Sequence, residues 1–220
     1  MKPIIGIVAR PDVGIDNYNL MATFDEYRKA IIKFNGIPIL ILPPQFIDYS
    51  NKNISKLTNK EKNMIKRSID LCDGILLPGG NRIYEYDLYI CKYVNKINKP
   101  VLGICMGMQT MTYNINHTLL KVENHHIQNL HQIKLIKGSK LHKIFNKKTK
   151  LVNSLHNFKV IDTKEYKISA LSEDGVIEAI EGKGSFNIGV QWHPEKMLNE
   201  NRKLFIEFIN QCKISKNKQK

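Results

Sequence analysis

The chain has 220 residues, 42% of them hydrophobic, and a formal net charge of +14 at pH 7. That length suits one α/β domain with a sizeable core, or at most two small domains, and the hydrophobic share is that of a globular protein. No run of about 18 apolar residues occurs, so a membrane span is not expected, and the start lacks a signal-peptide core, so a cytoplasmic protein is expected.

In chain order, residues 3–9 form a continuous apolar run, as in a buried parallel strand. Residues 10–19 are polar and rich in Gly, Asp and Asn, which predicts a loop. Thr23 with Glu26 reads as a capping box for a helix carrying Ala22, Tyr27, Ala30, Ile31 and Phe34. Asn35-Gly36 ends that helix, and 37–42 is the second strand. Thr58 or Asn59 opens the next helix, with Met64, Ile65, Ile69 and Leu71. Residues 73–81 give a third strand closed by Gly79-Gly80. Residues 87–98 form a helix with Leu88, Cys91, Val94 and Ile97 as its buried stripe. A fourth strand at 101–104 and a helix at 107–116 follow. This alternation predicts a flavodoxin-like, doubly wound, mostly parallel sheet.

The second half changes character. Short strand-like runs lie at 121–123, 131–136, 151–154, 158–162, 167–171 and 176–181, the last two joined by an Asp174-Gly175 hairpin turn. They predict a small antiparallel extension folded over one side of the sheet, within a single domain spanning 1–212. A strand at 187–192 returns toward the site, and a helix at 199–212 buries Leu204, Phe205, Phe208 and Ile209. The basic run 213–220 reads as a frayed, solvated tail. The lysine cluster at 140–150 is read as lacking the interleaved aromatics of a base-stacking surface, so nucleic acid is not an expected partner.

Two stretches carry chemistry. Gly103-Ile104-Cys105-Met106-Gly107 has the spacing of a nucleophile elbow, in which a sharp strand-to-helix turn lifts a side chain clear of the sheet. A sulfur there lies near a helix N-terminus, which favours thiolate. In 189–195, His193 and Glu195 stand two apart. In extended chain they share a face, so the carboxylate can hold one ring nitrogen while the other meets the sulfur. Pro194 disfavours helix at His193. Gly79, Gly80 and Met106 can offer backbone N–H groups to one oxyanion. The remaining cysteines, Cys72, Cys91 and Cys212, show no metal spacing and are expected to be free thiols. His125, His126 and His131 lack Cys or carboxylate partners at ligand spacing, so no metal is expected.

With these motifs placed, the chain resembles the class I glutamine amidotransferase-like fold, and within it the γ-glutamyl-γ-aminobutyrate hydrolase family. The resemblance is carried by 27–30, 36–43, 73–80, 103–109, 153–156, 174–179 and 189–195. It implies a Cys105–His193–Glu195 triad that hydrolyses a γ-glutamyl amide, needs no cofactor and serves amine catabolism. It also implies that Gln109 and the backbone around His156 and Asn157 help hold the glutamyl group. Met106 stands where the family often has arginine, and Asn81-Arg82 where an aspartate is common. Arg82 is a candidate for an anionic group of the substrate. Three rivals share the sequence: a glutaminase supplying ammonia to a synthetase partner, a hydrolase of another γ-glutamyl conjugate, and a basic nucleic-acid-binding module. A homodimer stays open.

Overall fold

A computed structural model of the chain describes residues 1–14, 16–47, 55–113, 120–122, 127–163 and 165–218. In chain order, β1 (Ile4–Val8) leads into β2 (Arg10–Val13) and β3 (Asn19–Ala22), then α1 (Asp25–Lys33) and β4 (Ile37–Ile41). Next come α2 (Asn59–Asp70), β5 (Gly74–Leu77), α3 (Glu85–Lys96), β6 (Val101–Ile104) and α4 (Met106–Tyr113). The second half holds β7 (Leu120–Lys121), β8 (Ile127–Leu135), α5 (Lys140–Phe145), β9 (Thr149–Leu155) and β10 (Phe158–Lys159). It closes with β11 (Lys167–Ser172), β12 (Ile177–Glu181), β13 (Asn187–Val190) and α6 (Arg202–Lys218).

One nine-stranded sheet runs in the order β4-β1-β5-β6-β13-β12-β11-β8-β9. The first five strands pair in parallel. From β13 onward every pair is antiparallel. Strands β5, β6 and β13 are wholly buried, as their nearly unbroken apolar sequences require. Helices cover both faces: Tyr27, Ala30 and Ile31 of α1 pack with Leu204, Phe205 and Phe208 of α6 in one cluster. Ile65, Ile69, Ile90, Val94, Met108 and Met111 from α2, α3 and α4 fill the other. No helix among the described residues is long and apolar enough to cross a membrane.

The structure departs from the sequence reading in several places. Residues 10–19 are not a plain loop, because β2 and β3 pair with each other as a separate two-stranded sheet. Helix α1 takes Phe24 as its N-cap, with no side-chain cap, and Thr23 with Glu26 makes no capping box. Ala22 lies in β3. The box forms instead at Thr58, whose hydroxyl accepts the Glu61 N–H while the Glu61 carboxylate accepts the Thr58 N–H. On α2 only Ile65 and Ile69 are buried, and Met64 and Leu71 face solvent. On α3, Tyr86 and Ile90 join Cys91 and Val94 inside, while Leu88 and Ile97 are half-buried.

The antiparallel strands continue the sheet edge to edge and do not fold over its face. The tail is helical to Lys218, and Lys216 pairs with Asp73 at 3.0 Å while Asp73 accepts the Ile4 N–H at 2.7 Å. The 140–150 cluster does contain an aromatic, Phe145, but α5 turns it into the core with Leu141. The expected helix end at 116 and the pair His125 and His126 lie outside the described residues.

Helix α4 sits unusually close to the sheet. A Cβ added to Gly107 would lie 2.1 Å from the Leu77 carbonyl oxygen, a backbone atom that cannot swing away. Gly107→Ala should therefore cost roughly 2–3 kcal/mol and lower the thermal unfolding midpoint by several degrees. Gly138→Ala meets no neighbour within 4 Å and carries only the penalty of φ +86°, about 1 kcal/mol. Calorimetry of the two variants side by side tests the ranking.

Candidate active site

Three adjacent parallel strands end at the same place: β5 at Pro78-Gly79-Gly80, β6 at Cys105 and β13 at His193. That is where a doubly wound sheet places its ligand crevice. A cavity of about 350 Å³ opens there, lined by Gly79, Gly80, Cys105, His193, Tyr27 and Arg82 among others.

Cys105 has φ +52°, the left-handed region, although it is not glycine. Such a conformation costs about 1–3 kcal/mol and persists only where the surroundings impose it. The imposition is visible. The Cys105 N–H donates to the Val190 carbonyl at 2.8 Å, continuing the β6–β13 pairing, and the Cys105 carbonyl then accepts the Gln109 N–H at 3.1 Å, starting α4. The flanking glycines supply room and not positive φ: a Cβ on Gly103 would meet the Gly107 carbonyl carbon and oxygen at 2.9 Å. Met106 is the first residue of α4, so its N–H has no partner within the helix.

His193 is 8% exposed and lines the cavity together with Cys105 on one side. On the other, its Nδ1 meets Glu195 Oε1 at 2.6 Å. Glu195 gets there differently from the extended-chain expectation. Residues Pro194–Lys196 form a single 3-10 turn with proline in its first turn, and the carboxylate folds back on the imidazole it follows. Burial works against a charge on His193, but its hydrogen bonds to Cys105 and Glu195, with their charges, outweigh that and hold its pKa up at about 10. The His193 backbone is clamped as well. Its N–H donates to Asn153 Oδ1 at 2.8 Å, and Asn153 Nδ2 donates to its carbonyl at 2.9 Å. Asn153, on β9, had no role from its residue type alone.

Other expected site residues divide. Gly79, Gly80 and Arg82 line the cavity, and Arg82 lies over the Tyr84 ring at 5.1 Å. The Met106 side chain packs on Gly80, where a Cβ would come within 2.7 Å of its Cε. Gln109, His156 and Asn157 are not among the lining residues. Gln109 Nε2 donates to the Phe158 carbonyl at 3.0 Å and to Gln191 Oε1 at 3.2 Å. His156 Nδ1 lies 3.0 Å from the same carbonyl, and its Nε2 lies 3.6 Å from buried Glu178, which His131 approaches at 3.2 Å. Burial acts to raise the Glu178 pKa, but hydrogen bonds from His131 and His156 outweigh it and hold it below the ordinary value. The Asn157 carbonyl accepts the Val122 N–H. No group of three or more His, Cys, Asp or Glu among the described residues is arranged to hold a metal ion.

Sequence reasoning missed Arg10 and Tyr27, both in the lining. Arg10 is ion-paired with fully buried Asp87 and donates through Nη2 to the Pro78 carbonyl at 3.0 Å. Its Nε is buried with no hydrogen-bond partner among the described residues.

Residues 84–195 match the model of the Peptidase C26 family. The chain is 28% identical to a glutamine amidotransferase-like protein of Rickettsia prowazekii, the alignment covering 91% of this chain and 93% of that one. It is 33% identical to the glutamine-hydrolyzing GMP synthase of Dictyostelium discoideum over 66% of this chain, a stretch equal to 22% of that protein. In fold it is similar to the glutaminase domain of Trypanosoma brucei CTPS, solved with bound acivicin, at a TM-score of 0.70 and 15% identity, covering 96% of this chain and 93% of that one.

The raised His193 pKa has a consequence for stability. A pKa lifted from 6.5 to about 10 on folding contributes stability that is complete below pH 6.5 and is lost as pH rises through about 10. Denaturant unfolding at steps from about pH 6 to about pH 10.5 should show this decline in the wild type and a flatter profile in His193→Asn. Parallel profiles would contradict the charge assignment.

Proposed function

Because the chain belongs to the Peptidase C26 family, in the class I glutamine amidotransferase-like superfamily, we propose that it hydrolyses a γ-glutamyl amide through Cys105. The observation that carries this reading is the strained Cys105 in the cavity lining beside a His193 that Glu195 holds at 2.6 Å. In the reacting pair His193 carries the proton and Cys105 attacks the γ-carbonyl as thiolate. The Gly80 and Met106 N–H groups receive the oxyanion, and one such donor is worth about 3 kcal/mol. The His193 imidazolium protonates the departing amine. Neutral His193 then takes a proton from water, whose oxygen attacks the γ-glutamyl thioester. Glutamate leaves and the Cys105–His193 pair is restored.

The cavity lining carries Arg82, Lys196 and an Arg10 that is already paired with Asp87, against one carboxylate of the lining itself, Asp12. This cationic wall supports a leaving amine that bears an anionic group, as γ-aminobutyrate does, over ammonia. Gln109 and the 156–157 backbone hold the glutamyl end in this reading indirectly, by fixing the Phe158 carbonyl and α4. The second reading, a glutaminase that delivers ammonia to a synthetase, draws on the likeness to a GMP synthase and to the CTPS glutaminase domain.

Glutamate release measured by mass spectrometry separates them. The panel holds glutamine, γ-glutamyl-γ-aminobutyrate, uncharged γ-glutamyl amines and γ-glutamyl peptides, each with wild type, Cys105→Ala and Arg82→Ala. We expect turnover that Cys105→Ala abolishes, a preference for anionic leaving groups, and a KM for those that rises about tenfold in Arg82→Ala. Turnover of glutamine alone would favour the synthetase-linked reading, and activity retained in Cys105→Ala would exclude both.

A further inference from the structure

Tyr27 belongs to α1, which carries neither nucleophile, base nor glycine turn, yet its side chain is fully buried at the point where all three meet. Its hydroxyl accepts the Gly79 N–H at 3.0 Å. A Cβ built on Gly79 would stand 3.1 Å from that hydroxyl, 3.0 Å from His193 Cε1 and 3.5 Å from Cys105 Cβ. The Glu195 carboxylate is close enough for its charge to act on that hydroxyl. Glu195 Oε1 is engaged with His193 at 2.6 Å, while Oε2 is buried with no hydrogen-bond partner within range among the described residues. A phenol that accepts one N–H still has its own proton to donate. Burial first, and then the neighbouring carboxylate, push the Tyr27 pKa well above its ordinary value, so that proton stays in place.

We propose that Tyr27 is a positioning residue of this site: its hydroxyl takes up the Gly79 N–H and gives its proton to Glu195 Oε2, so that one side chain of α1 locks the glycine turn to the Cys105–His193–Glu195 array. Two effects follow. With the Gly79 N–H occupied, Gly80 is the glycine left to receive an oxyanion. With Oε2 held, the Glu195 carboxylate cannot rotate away from His193. The proposal rests on the reading of Cys105 as the nucleophile, and its test is independent of any substrate.

The test is the pH profile of Cys105 alkylation by iodoacetamide, read at the Cys105 peptide by mass spectrometry. Four chains are compared: wild type, Tyr27→Phe, Glu195→Gln and the double variant. Tyr27→Phe keeps the buried ring and removes one oxygen. A carboxylate that loses a donated hydrogen bond becomes a stronger base and holds the His193 proton harder. The high-pH limb of the profile, where His193 gives up its proton and leaves the thiolate unpaired, should therefore have its midpoint moved up by about half a pH unit or more. In the Glu195→Gln background the same substitution should move it by less than about 0.2 unit, because the partner is gone. On any amide that the wild type turns over, kcat should fall about tenfold or more with KM changed less than about threefold. An unmoved midpoint, or equal shifts in both backgrounds, overturns the proposal. So does a Tyr27→Phe chain that circular dichroism shows to be unfolded, since the oxygen would then serve the fold and not the site. Loss of turnover on every substrate with the alkylation shifts intact would leave Tyr27 in place and remove the γ-glutamyl reading instead.

Discussion

The approach of α4 to the end of β5 is the constraint on which the rest of the molecule turns. Leu77's carbonyl occupies the space that any side chain at residue 107 would need. Only at that distance can the chain leave β6, turn through a left-handed residue and enter a helix within one step. The turn leaves the sulfur at the first N–H groups of α4, and it brings the ends of β5 and β13 to either side of it. Cys105, the Gly79-Gly80 turn and His193 are therefore neighbours because their strands are neighbours. No long-range adjustment is needed to assemble them.

Holding that arrangement has a cost, and buried hydrogen bonds offset it. A left-handed cysteine is strained by about 1–3 kcal/mol. The two bonds that Asn153 makes to the His193 backbone are worth about 1 kcal/mol each, and the Trp192 indole adds another by donating to Asn201. The antiparallel half of the sheet thus has a function beyond covering apolar surface. It brings β9, and with it Asn153, to the loop that carries His193. Its buried Glu178 with His131 and His156 supports the carbonyl of Phe158, to which Gln109 is also tied.

What could be read from the sequence divides along physical lines. The parallel core was legible because β1, β5 and β6 are continuous apolar runs between helical stripes, and such runs have few other places to go. The elbow was legible because glycine spacing encodes close approach directly. The His193–Glu195 contact was anticipated for the wrong reason: the pair meets through a 3-10 turn at Pro194 and not along an extended strand. Residues 10–19 hid a hairpin because β2 and β3 bury almost nothing and show no hydrophobic alternation. Tyr27 and Arg10 were invisible as site residues because each acts at long sequence range. A tyrosine on a helical stripe reads as core, and it is core; only the fold shows where its hydroxyl ends. Gln109 stood out by its place after the elbow, yet its amide nitrogen points to protein acceptors.

The β2–β3 hairpin separates two kinds of evolutionary freedom. It pairs only with itself, yet with the residues just after it supplies Arg10, Pro11, Asp12, Ala22, Thr23 and Phe24 to one wall of the cavity. Arg10 alone of these is tied into the interior. Substitutions along the rest of that ribbon can alter the shape and charge of the cavity without disturbing the sheet, the Cys105 turn or His193. Selection can therefore reshape that wall one surface residue at a time, while Cys105 and His193 stay fixed by the packing beneath it.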